Sequence, residues 1–318
     1  MRIRIIAALV LISFFSCTKK EKLDVDVSKI EVKVQVKRFE QVFYKASATE
    51  LPKIKKEYRY LFPHDIDSIW IKKMQDKDEQ ELFAVTQKTY PNLKIEKEKL
   101  LKLFKHIKYY YPKFKEPKIV TINSNVDLEQ KVVYADSLLF ISLDAFLGVE
   151  SAIYQDYPAY IKQNLTKEQL IVAVAEEIAK TIQFKSKDRR FLAKIIQAGK
   201  LMYAIEALLP EETEANKIGY TKKQLEWVKE NEAIIWQYFM EKKILYEANK
   251  DLEKRFIERA PFTKFYLDID SESPGRVGVW MGWQIVQSFM QYNEIELAEL
   301  MQMKNEEIFK KSKYRPRK

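Results

Sequence analysis

The segment Ala173–Ile182, AVAEEIAKTI, has the outline of a metal-binding helix. Its middle, Glu176-Glu177-Ile178-Ala179-Lys180, has the length of the H-E-x-x-H motif. In that motif two imidazoles one turn apart hold zinc, and the glutamate between them activates a zinc-bound water. Here the two histidine places hold Glu176 and Lys180. Zinc takes lone pairs from neutral imidazole, thiolate or carboxylate. A protonated lysine has three N–H donors and no lone pair, so Lys180 cannot ligate. Glu176 alone is not a site, and Glu177 has no metal-bound water to activate. The chain offers few substitutes: two histidines, His64 and His106, and one cysteine, Cys17. No metal or other cofactor is expected. A plainer chemistry covers both residues: Glu before Lys at i,i+4 is the favourable order for a surface ion pair, worth about 0.2–0.5 kcal/mol.

The stretch Leu267–Val286, LDIDSESPGRVGVWMGWQIV, is the other unusual region. It holds three of the six glycines (Gly275, Gly278 and Gly282) and two of the five tryptophans (Trp280 and Trp283). Pro274-Gly275 marks a turn. Gly278 and Gly282, four apart on the helix that follows, allow another element to approach closely. Two readings stay open: a tightly packed core helix, or a turn that with Arg276, Trp280 and Trp283 lines a cleft or partner surface. Asp268, Asp270 and Glu272 alternate as in a calcium loop, but Ser273 replaces the required glycine and Val279 the closing glutamate, which leaves a charged loop. Asp65 and Asp67 read as a helix start rather than an acid/base pair. His106, among apolar neighbours, reads as a satisfied or surface imidazole. A nucleophile elbow, a phosphate loop, a dinucleotide fingerprint and a Cys/His cluster are all missing from the sequence.

The chain opens MRIRIIAALVLISFFSC. Arg2 and Arg4 precede an apolar run, Ile5–Phe15, of signal-peptide length. A small residue before Cys17 resembles the lipobox of bacterial lipoproteins, in which the thiol is acylated with diacylglycerol and becomes the first residue. Two or three acyl chains, at about 0.8 kcal/mol per buried CH2, anchor stably where one is marginal. No other apolar run reaches the roughly 18 residues of a membrane span. The expected organisation is a signal peptide (1–16), a polar tether (17–29), one domain (30–310) and a basic tail (311–318). With 47% hydrophobic residues, a large core is feasible without disulfides. Net charge is +10. The tail could touch anionic head groups or simply be solvated and frayed. Nucleic acid is not an expected partner outside the cytoplasm.

These features need elements to position them. Ile30, Val32, Val34 and Val36 alternate with polar residues and predict a strand. Phe39 to about Tyr111 is helical in pattern, with one clear helix over Ile95–Tyr111 stopped by Pro112. Three short strands follow at 118–122, 132–134 and 138–142. After Gly148 the chain is helical almost to its end. Thr166 with Gln169, and Thr221 with Gln224, predict capping boxes. On the helix from Thr166, residues Ile171, Val174, Ala175, Ile178, Ala179 and Ile182 form one apolar stripe, with Glu176 and Lys180 pointing away from it. The fold class is α+β, predominantly helical, with a small sheet.

The stretches ISLDAFLG (141–148), YPAYI (157–161), AVAEEIAK (173–180), IIQAGKLMYAIEALLP (195–210) and SPGRVGVWMGWQIVQSFM (273–290) resemble the gliding-motility-associated lipoprotein GldB family. The resemblance runs from about residue 30 to 310. That family in turn resembles predicted zinc peptidases with an H-E-x-x-H helix and a later E-G motif, which implies a zincin-like core. Mapped here, the ligand places are Glu176, Lys180 and, before Gly199, Ala198; all three are lost. The resemblance implies a membrane-anchored component of gliding that faces the periplasm, contacts other envelope proteins of the machinery and turns nothing over. Thr18 after the cysteine leaves inner or outer membrane open. The alternative is a cryptic hydrolase using Glu176 and Glu177 on envelope peptide or glycan.

Overall fold

The structure, a computed structural model, describes residues 23–317 except 65 and 136. The expected leader, Cys17 and the start of the tether lie outside the described residues, as do Asp65 and Lys318. The chain enters through strand β1 (Val36–Arg38) and short helices α1 (Phe39–Tyr44), α2 (Leu51–Glu57), α3 (Asp67–Gln75) and α4 (Lys77–Thr89). The long α5 (Lys94–Tyr110) leads to strands β2 (Lys118–Ile122), β3 (Val132–Ala135) and β4 (Leu138–Ser142). Helices α6 (Ala159–Lys162), α7 (Lys167–Ile182), α8 (Phe191–Leu208), α9 (Glu214–Ile218) and α10 (Lys222–Glu230) follow. The last are α11 (Glu232–Glu241), α12 (Lys250–Phe256), α13 (Val277–Tyr292), α14 (Leu297–Gln302) and α15 (Asn305–Lys311). The architecture is the expected α+β class, mostly helical.

The β-branched run at 118–122 and the apolar run at 138–142 become the sheet's buried centre, and the strand expected at 132–134 is an edge. Sheet order is β1-β2-β4-β3. β1 and β2 pair in parallel, as do β2 and β4, with Val36 opposite Ile119 and Thr121 opposite Ile141. β3 runs antiparallel to β4, with Val132 opposite Ile141. The strand expected from Ile30 is shorter than its alternation suggests. Residues 30–35 keep the alternating exposure but are not strand; only the Gln35 carbonyl reaches the sheet, accepting from Ile119 N at 2.9 Å, and β1 begins at Val36. Lysines of α5 hold this approach segment instead: Lys105 Nζ donates to the Ser28 carbonyl at 3.2 Å and Lys108 Nζ to that of Glu31 at 3.1 Å.

The core is built on α8 and α13. Both are apolar nearly all round, the mark of a buried helix rather than a surface one. Thirteen of the sixteen α13 residues are buried. The expected close approach at Gly282 is made by α8, at Gly199 and Ile195. A second cluster of Phe43, Tyr44, Leu51, Ile54, Tyr58, Phe62, Met74 and Phe83 ties α1 to α4 together.

Two end signals resolve differently. At α10 the box forms: Gln224 N donates to Thr221 Oγ1 at 3.2 Å and Thr221 N to Gln224 Oε1 at 2.9 Å. At α7 it does not, because the Thr166 hydroxyl caps no backbone N–H and the Gln169 amide crosses to the Asn216 carbonyl at 2.8 Å. Tertiary contact has claimed the side chain that the local motif needs.

The C-terminal segment is docked, against the expectation of a frayed tail. Ser288 Oγ donates to the Ser312 carbonyl at 2.7 Å. Tyr314 OH and Arg317 N donate to the same oxygen of Glu232, at 2.9 and 3.1 Å. Glu232 is 1% exposed, and Trp280 Nε1 reaches its other oxygen at 3.3 Å. Burial, with the Glu232 carboxylate beside it, pushes the Tyr314 hydroxyl well above the usual phenol range. Lys313, Arg315 and Arg317 remain exposed.

Candidate functional site

The apolar stripe of α7 fixes where its charged residues go. Ile171, Val174, Ala175, Ile178 and Ala179 are buried against the core. That turns Glu176, Glu177 and Lys180 onto one wall of a cavity of about 330 Å3. The second wall is the run into the edge strand β3, with Leu128, Glu129, Lys131 and Val132. Tyr160, Ile161, Asn164 and, beyond α12, Arg259 also line it.

Charge dominates the interior. Lys180 Nζ lies 2.9 Å from Glu176 Oε1, the expected i,i+4 pair, and 3.5 Å from Glu177 Oε2. The sequence places this pair on an open face; the structure leaves the Glu176 side chain only 26% exposed. Burial alone would raise the Glu176 carboxyl, but Lys180, Arg259 and Arg276 together pull it down to about 2. Lys131 is held down to about 8, first by burial and then by repulsion from Arg259, Lys180 and Arg276, with Glu176 opposing. Among the described residues no acceptor lies within hydrogen-bond distance of its ammonium, which sits 5.8 Å from the Phe146 ring centre.

Arg259 is exposed as a residue, but its guanidinium lies against the cavity wall. With the Asn164 amide turned to satisfy both its ends, Arg259 Nη1 donates to Asn164 Oδ1 at 3.1 Å and Asn164 donates to the Gly219 carbonyl at 3.2 Å. Burial and the neighbouring Arg276 lower the Arg259 guanidinium to about 10.

The other expected site residues lie apart. Arg276 adopts a left-handed backbone (φ 66°) ahead of α13 and donates from Nη1 to the Ile218 carbonyl at 2.5 Å. It acts on the cavity through its field and is not on its walls. Trp280 and Trp283 are fully buried, so the reading of them as a cleft or partner surface is corrected to core. Trp283 Nε1 and Gln287 Nε2 both donate to Glu206 Oε2, at 2.8 and 2.7 Å. Ala198 packs on the core from α8 and does not line the cavity. The Asp270 carboxylate is occupied by the backbone N–H groups of Phe265, Tyr266 and Leu267, at 2.9 to 3.3 Å. His106 is nearly buried, with Nδ1 2.9 Å from the Lys102 carbonyl.

Lys131 and Arg259 carry no sequence signal of their own: each is one of 56 lysines and arginines, in an ordinary polar stretch. Only the fold brings them to α7. Among the described residues no three His, Cys, Asp or Glu side chains gather as a metal would require. The donor set at the α7 wall does not fit zinc, because the Lys180 ammonium has no lone pair and occupies the Glu176 and Glu177 carboxylates beside it.

The fold and site define a class: an α+β, mostly helical domain whose helix α7 carries an ion pair facing a charged cleft. The chain belongs to the family described as gliding motility protein GldB, whose model it matches over residues 20–316. It matches no curated protein and no solved structure. The family ties the chain to gliding motility, and its lipoprotein label to a membrane. No described helix is long and apolar enough to cross a membrane.

Proposed function

We propose that this protein serves gliding as a non-catalytic envelope lipoprotein, anchored through Cys17, facing the periplasm and acting by contact with other proteins of the machinery. The observation that carries the reading is the Lys180 ammonium bonded to both Glu176 and Glu177 at the wall where a metal helix would present lone pairs. The alternative, a carboxylate-dependent hydrolase, asks Glu176 to move protons near neutral pH. A carboxyl held at about 2 is a poor base there, since an effective one titrates near the working pH.

We read the core as a zincin-like frame kept without its chemistry. What supports this is the antiparallel edge strand β3 lying beside α7 across a cavity.

The test is gliding itself. Glu176→Gln/Glu177→Gln, expressed at normal level and folded, should leave motility intact. Loss of motility in that variant, still folded at the growth temperature and present at normal level, favours turnover. Cys17→Ala should release the protein and abolish gliding. Full rescue by a released, folded protein removes the anchor from the account.

A further inference from the structure

The α7 cavity holds two kinds of cation. Lys180 is neutralised by Glu176 and Glu177. Lys131 and Arg259 have no carboxylate partner within ion-pair distance among the described residues, yet both line the same space. Two cations without a direct ion-pair partner repel each other, partial burial makes the repulsion stronger, and Glu176, already paired with Lys180, offsets it only in part. Such an arrangement is stabilised by an anion that arrives from outside.

We propose that the cavity receives an acidic side chain, Asp or Glu, from a partner protein, with its carboxylate seated between Lys131 and Arg259. This rests on the protein-contact reading above and names the chemistry of that contact.

The charge count favours a single carboxylate over phosphate. Glu129, Glu176 and Glu177 stand on the same walls, so a dianion meets more repulsion than a monoanion. Arg259 offers the planar fork that pairs with a carboxylate through two parallel bonds. Leu128, Val132 and Ile161 supply apolar lining for the stem of the incoming side chain and its neighbours. A volume of about 330 Å3 is at the small end of ligand sites, suited to one anchoring residue rather than a large ligand.

The experiment is selection of displayed random peptides on the purified full chain in detergent, run in parallel on Lys131→Glu/Arg259→Glu. Expected is enrichment of Asp or Glu at one position on the natural chain, and of Lys or Arg there on the reversed chain. Synthetic copies of the enriched peptides should lose roughly tenfold or more in affinity with either Lys131→Ala or Arg259→Ala, the size of one charge-assisted hydrogen bond. If the reversed chain misfolds, the natural chain still decides. The enriched peptide should protect Lys131, but not surface lysines, from acetic anhydride. The proposal fails if no acidic position emerges, if the peptide leaves Lys131 unprotected, or if succinate or inorganic phosphate binds there while acidic peptides do not. The gliding role has its own readout: peptides that bind through Lys131 alongside normal gliding of the Lys131→Glu strain uphold the site and sink the functional reading.

Discussion

Gly199 and Gly282 bring the main chains of α8 and α13 into direct contact. A methyl group on Gly199 would lie 2.1 Å from the Gly282 carbonyl oxygen, and one on Gly282 would lie 1.7 Å from the Ile195 carbonyl oxygen. Backbone cannot step aside as a flexible side chain can. Overpacking a core costs typically about 1–3 kcal/mol where side chains can shift. Gly199→Ala and Gly282→Ala should each cost about 3 kcal/mol or more, and urea unfolding followed by circular dichroism measures it. An unchanged urea midpoint in either variant would show that the two helices are not in contact there.

Glu176 should make the protein acid-sensitive in a defined window. Its folded carboxyl is depressed to about 2 from an ordinary value of 4.5, so its contribution is present above about 4.5 and lost as pH falls toward 2. Glu176→Gln should cost on the order of 2 kcal/mol at neutral pH, allowing for the side chain's residual exposure. It should also flatten the stability curve between those two pH values. Denaturant titrations at pH 7, 4.5 and 3 give both numbers.

Glu232 is the buried end of the C-terminal strap. Its carboxylate takes hydrogen bonds from Trp280, Tyr314 and Arg317. Removing one donor from a buried charge leaves it undercompensated, at about 1–3 kcal/mol. Tyr314→Phe should therefore lower the melting temperature by a few degrees. Deleting 312–318 should do more and shift tryptophan fluorescence to the red, because the Trp236 ring packs 5.3 Å from that of Tyr314. A deletion that melts and fluoresces like the full chain would mean the strap is not bound in solution.

Local patterns proved reliable where neighbours had no competing claim. β2 follows from a β-branched run and β4 from a short apolar one, α5 from its period and Pro112, and the α10 cap from Thr221 and Gln224. Patterns failed where tertiary structure made a better offer. Gln169 left its box for Asn216, and the alternation from Ile30 found lysine side chains in place of a strand. The Glu176–Lys180 pair was legible because it lies within one turn. Lys131 and Arg259 were not, being 128 residues apart along the chain and joined only by folding. The tryptophans of α13 left a core and a cleft reading open from sequence; they are core, with the half-buried Glu206 of α8 and the buried Glu232 of α11 accepting from their indole N–H groups.

Lys131 should stand out among the chain's lysines by its titration. Burial and three neighbouring cations, Arg259, Lys180 and Arg276, disfavour its ammonium, and Glu176 alone opposes them, leaving it at about 8 against an ordinary 10.5. Competitive labelling with trace acetic anhydride across pH 6–11, read by mass spectrometry, should show Lys131 reaching half reactivity near 8 and solvated lysines about two units higher. The direction under mutation follows from the charges. Arg259→Gln removes a repulsion and should raise the Lys131 midpoint, while Glu176→Gln removes the one attraction and should lower it. A depressed lysine also opposes folding most when charged, so Lys131→Met should gain stability below pH 8 and lose that advantage as pH rises toward 10.5. Labelling midpoints that do not move in opposite directions would mean that Lys131, Arg259 and Glu176 do not share one electrostatic site.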